Sequence, residues 1–118
     1  MDSNEYQYLA GRTLIDKPDF VLSPEETMLV WNTLGLCGEA GEFAELVKKL
    51  VFHKHQISQI KLAEELGDVL WYVAAICSRL GLSMSDVMQA NVEKLKKRYP
   101  EGYSQEASVR RQDEATSE

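Results

Sequence analysis

The sequence predicts an all-α protein, a helical bundle of four main helices. Three observations carry that prediction. No segment shows the bounded apolar–polar alternation of a strand, the apolar residues recur at three- and four-residue intervals, and helix start and stop signals divide the chain into four helical stretches. The first stretch is short, from about Asn4 to Thr13, and ends in a turn at Asp16-Lys17-Pro18-Asp19, with Phe20-Val21-Leu22 as an extended linker. The second begins at Ser23-Pro24-Glu25-Glu26. Serine there suits the N-cap, proline suits the first helical position, and the acids suit the positive end of the helix dipole. This helix is expected to reach Phe52. It carries Gly35, Gly38 and Gly41, each costing about 1 kcal/mol relative to alanine, a cost that points to a close approach or a bend. His53-Lys54-His55-Gln56 reads as a connection and Ile57 to Leu80 as the third helix, stopped by Gly81. Ser83-Met84-Ser85-Asp86 opens the fourth with a capping pattern, and Pro100 with Gly102 closes it near Tyr99.

A chain of 118 residues bounds the answer to one domain, expected over residues 1–103 as a compact unit. Residues 104–118 are nearly devoid of large apolar side chains and read as a polar, mobile tail. Thirteen basic against nineteen acidic residues leave a net charge of −6, which repels a phosphate backbone and argues against duplex nucleic acid as a partner. There is no apolar segment behind a basic start and no run of eighteen apolar residues. The expectation is therefore a cytoplasmic protein with no membrane partner. Cys37 and Cys77 sit in apolar helical sequence without a CxxC partner and read as small buried hydrophobes.

Helical geometry separates surface acids from interior ones. At about 100° per residue, Leu46 and Leu50 fall within about 20° of Glu39, and Phe43 about 40° from it, so Glu39 lies inside the apolar stripe. Glu42, at i+3, is displaced by about 60° and can converge with it, while Glu45 points to solvent. In the third helix Ile76 and Val69 lie about 20° and 40° from Glu65, and Asp68 follows one turn on, whereas Glu64 points outward. Four carboxylates on apolar flanks repel one another unless protons or a cation neutralise them, and a divalent cation is the economical answer. Oxygen-only donors suit Mg²⁺, with Mn²⁺ as a substitute. His53 and His55, two residues apart, read as loop or surface residues rather than ligands. A bundle whose acids are half-exposed and paired with Lys48, Lys49 and Lys61 accounts for Glu45 and Glu64. It does not account for acids inside the stripe.

The fourth helix supplies the opposite charge. Asn91, Lys94 and Arg98 share the face that Met84, Val87 and Leu95 should bury. An acidic metal cluster beside an amide and two cations suits a polyphosphate, with the metal bridging phosphate oxygens and the cations neutralising the rest.

With these residues in place, the sequence resembles the MazG-like, all-α nucleoside triphosphate pyrophosphohydrolases. Their Glu-x-x-Glu motif matches Glu39-Ala40-Gly41-Glu42, their Glu-x-x-Asp motif matches Glu65-Leu66-Gly67-Asp68, and the interval between them is 22 residues. The words GLCGEAGEFAELVKK, EELGDVLWYVAAI and NVEKLKKRYPEGYS follow in the family's order, over about Leu34 to Ser104. The resemblance implies a MazG-like bundle in which Glu39, Glu42, Glu65 and Asp68 hold Mg²⁺ and serve catalysis. It also implies that Tyr72 lines the site and that Asn91, Lys94 and Arg98 contact the triphosphate. It implies hydrolysis of an NTP or dNTP between its α- and β-phosphates, giving the monophosphate and pyrophosphate, in a homodimer or homotetramer that completes the bundle. The alternatives are a noncatalytic helical ligand- or protein-binding module and a phosphoribosyl-ATP pyrophosphohydrolase.

Overall fold

A serine side chain opens each of the three long helices. Ser23 Oγ accepts from the Glu26 amide at 3.1 Å while the Glu26 carboxylate accepts from the Ser23 amide at 2.9 Å, a complete capping box. Ser58 and Ser83 accept likewise from the Lys61 and Asp86 amides. The computed structural model describes the backbone of residues 1–116 and the side chains of residues 1–111. Its helices are α1 (Ser3–Gly11), α2 (Pro24–Phe52), α3 (Gln59–Leu80), α4 (Met84–Arg98) and α5 (Gln105–Thr116), and no β-strand occurs among the described residues. No single described helix is long and apolar enough to cross a membrane.

The differences from the sequence expectation have local causes. α3 starts two residues later than expected because Ser58 takes the cap position, leaving Ile57 outside the helix. α5 occupies a segment read as a polar tail: Ser104 Oγ accepts from the Ala107 amide at 3.1 Å and Ala107 is buried, so a serine start signal and one small apolar contact organise a sequence with little hydrophobic content. Ser117 and Glu118, the end of that expected tail, lie outside the described residues. Of the three α2 glycines only Gly35 meets a neighbour, Tyr72 of α3, and α2 runs unbroken through all of them.

Packing is concentrated in one antiparallel pair, α2 against α3. α3 ends at Gly81, whose φ of 69° lies in the left-handed region, and α4 leaves at 107° to α3. α4 packs on α5 rather than back onto the pair. The compact unit expected from chain length is therefore not formed within one chain. The radius of gyration is 20.6 Å, against about 13.5 Å for a compact domain of this length. The accessible surface is 10168 Å², against about 6,500 Å² for a compact chain of this size. Cys77 and Ala107 are the buried hydrophobic residues among those described, while Trp31, Leu34, Leu70 and Trp71 stay exposed. Both cysteines are free. Cys77 is buried as expected, but Cys37 is exposed because its face of α2 has no neighbour in the chain.

Candidate metal centre

The antiparallel register of α2 and α3 lays residues opposite one another in a single seam. Descending α2 and ascending α3, Glu42 meets Glu65, Gly35 meets Tyr72, and Asn32 meets Arg79. The stripe that buries apolar side chains on each helix thus carries its acids into the same interface.

Glu39, Glu42 and Glu65 each offer a carboxylate oxygen within 4.8 Å of the others. Oxygens sharing one hard cation at about 2.1–2.4 Å lie at most about 4.2–4.8 Å apart, so this spacing suits one ion. Glu65 is 9 % exposed, Glu39 is half-buried and Glu42 is exposed. Oε2 of Glu39 and Oε2 of Glu65 are buried with no hydrogen-bond partner. A buried charged oxygen left unpaired costs more than the 1–3 kcal/mol or so of a neutral group, and a cation among the three carboxylates removes that cost. The donor set and the two orphaned oxygens therefore fit a hard divalent ion.

Electrostatics agree. The Glu39 carboxyl is held above its ordinary range, first by desolvation, then by the negative charges of Glu42 and Asp68, hydrogen bonding with Glu42 and the charge of Glu65. Asp68 is exposed and stands outside the tight triad, near enough to act on Glu39 through its charge. On the other flank Lys61 Nζ donates to Glu65 Oε1 at 2.9 Å, and this hydrogen bond, with the surrounding acids, raises the lysine's proton affinity. The lysine pairing weighed for the acids therefore holds for Glu65 on one of its oxygens, and for Glu45, which meets Lys48 at 3.3 Å. It leaves the Glu39 and Glu65 inner oxygens unpaired. A concavity of about 260 Å³ opens beside the cluster, lined by Glu42, Glu45, Leu46, Lys49, Lys61 and Glu65.

Tyr72 sits in the seam with its ring against Gly35 and edge-on to Trp71. Asn91, Lys94 and Arg98 are carried on α4, and the chain does not fold that helix onto the acids. The face expected to be buried around them is open, with Val87 and Leu95 exposed, and the Arg98 carbonyl accepts from Arg110 Nη2 at 3.4 Å. His53 and His55 are exposed in the α2–α3 connection, their rings edge to face. Two seam residues escape the sequence reading, Asn32 and Arg79. Their signal is present, since Asn32 lies seven residues before Glu39 and Arg79 seven after Tyr72, each about 20° off the same line.

Residues 29–103 match the family described as MazG nucleotide pyrophosphohydrolase domain. The chain is 43 % identical over 81 residues to the Gene 37 protein of Mycobacterium phage L5, covering 65 % of this chain and 71 % of that protein. It is 34 % identical over 73 residues to the uncharacterized protein YvdC of Bacillus subtilis, covering 54 % of this chain and 69 % of that one. No solved structure matches the chain.

Proposed function

From its membership of the MazG nucleotide pyrophosphohydrolase domain family, we propose that this chain is a Mg²⁺-dependent pyrophosphohydrolase that converts an NTP or dNTP to the monophosphate and pyrophosphate. The observation that carries the proposal is the convergence of Glu39, Glu42 and Glu65 with two buried, unpartnered oxygens. Asp68 supplies a fourth acid at the same seam and acts electrostatically on Glu39.

When bound, Mg²⁺ or Mn²⁺ draws charge from the phosphate oxygens and makes the scissile phosphorus easier to attack. The chain's own residues do the rest. Glu39, Glu42, Glu65 and Asp68 hold the cation's side of the substrate and orient the attacking water, one carboxylate accepting its proton. Asn91, Lys94 and Arg98 bind the remaining phosphate oxygens and stabilise the charge that collects on the departing pyrophosphate.

The reading includes assembly as a homodimer or homotetramer. A single chain leaves about 3,700 Å² more surface exposed than a compact chain of its size would, on the scale of an obligate interface. Since α4 does not reach the acids of its own chain, the cations on α4 of a second copy complete the site.

The test is pyrophosphate release from canonical and modified nucleoside triphosphates and from phosphoribosyl-ATP, each with Mg²⁺, Mn²⁺ or EDTA. Metal-dependent release with equimolar monophosphate is expected. Silence from folded protein across the panel overturns the proposal, and turnover of phosphoribosyl-ATP alone replaces the nucleoside triphosphate as substrate.

A further inference from the structure

Two turns of α2 from Glu39, and three turns of α3 from Asp68, lies a polar pair that the chemistry above does not use. Asn32 is 6 % exposed, and its Oδ1 accepts a hydrogen bond from Arg79 Nε across the α2–α3 interface. Arg79 is exposed beyond that bond and, with Trp71, Ala75 and Ser78, lines a shallow concavity of about 440 Å³. Trp71 is 62 % exposed there, and the small side chains of Ala75 and Ser78 leave room over the helix between indole and guanidinium. Eleven residues of helix separate Asp68 from Arg79, about 16 Å along the axis, a span that an extended arginine side chain and a nucleoside bridge together.

Resting on the pyrophosphohydrolase reading, we infer that Arg79, held in place through its Nε by the buried Asn32, reads the edge of the substrate's base while Trp71 carries its face. The pair's chemistry sets the preference. With Nε committed to Asn32, what remains toward the concavity is the two outer N–H₂ groups of the guanidinium, all donors. Such an array suits a base edge with two adjacent acceptors, as guanine presents at N7 and O6. Adenine places an N6 donor where O6 would be and sets donor against donor. The substrate class is therefore a 6-keto purine nucleotide in preference to a 6-amino one. Aromatic stacking alone does not separate the two.

The measurement is calorimetric binding of the α,β-methylene analogues of GTP, ITP and ATP in Mg²⁺, which needs no turnover. The GTP and ITP analogues are expected to bind roughly tenfold tighter than the ATP analogue, the scale of one well-placed bidentate contact. Arg79→Met, which keeps the chain length and removes the donors, should collapse that ratio toward one. Asn32→Leu removes the acceptor that holds the guanidinium Nε, so it should lower the ratio as well. Equal binding of the analogues by the wild type, or a ratio unmoved in both variants, overturns the inference while leaving the pyrophosphohydrolase reading intact. Absence of any analogue binding, together with silence in the pyrophosphate assay, overturns both.

Discussion

The Tyr72 ring lies on the backbone of Gly35 so closely that a β-carbon at Gly35 would overlap the ring. This contact fixes the separation of α2 and α3 one turn from Glu39 and Asp68. Gly35→Ala gains about 1 kcal/mol of helix propensity but forces ring and backbone apart, an overpacking cost of about 1–3 kcal/mol. The expected net result is a melting temperature lower by a few degrees with a weakened Mg²⁺ response. Adding Tyr72→Leu should restore part of the melting temperature, and a double-mutant cycle by calorimetry measures the coupling.

Glu39 gives an unusual pairing of effects. Its carboxyl binds a proton more tightly in the folded chain than at the ordinary value of 4.5. Between that value and the raised one the folded state therefore holds more protons than the unfolded state, and stability falls as pH rises through the window. Glu39→Gln removes the penalty. The metal-free variant should melt higher than wild type at pH 7, with the difference shrinking on acidification, and should lack the Mg²⁺-induced rise in melting temperature expected of the wild type.

Lys61 acts in the opposite sense. It neutralises one oxygen of Glu65, and its raised proton affinity keeps that pairing intact across the neutral range, fading only as pH climbs above the ordinary lysine value of 10.5. Lys61→Met is expected to lower the melting temperature of the metal-free protein and enlarge its Mg²⁺-induced rise. The difference from wild type should close above that pH in thermal melts.

Ser23→Ala removes half of the capping box that starts α2. The expected loss is about 1 kcal/mol, read by denaturant titration, with catalytic parameters unchanged because the cap lies four turns from Glu39.

What is legible in the sequence is whatever depends on one helix at a time. Ser23, Ser83 and Gly81 announce their boundaries through local hydrogen bonding and the left-handed cap, and the acid stripe follows from turning each helix by its own angle. The Asn32–Arg79 bond joins residues 47 apart, and it is fixed by the register in which two helices slide together, which neither helix encodes alone. The direction of α4 is hidden for the same reason. Met84, Val87 and Leu95 mark a face to be covered, but the pattern does not say by which chain. α5 escapes a reading that weighs hydrophobic content above the start signal at Ser104.

Gly81 gives this architecture a particular genetic vulnerability. Its left-handed backbone, at φ 69°, sets where α4 and the three side chains proposed to bind phosphate are delivered, so a bulky residue there leaves every acid in place and misdirects the cations. On the proposed reading such an allele would pass as a catalytic null, yet it would be a fault of delivery.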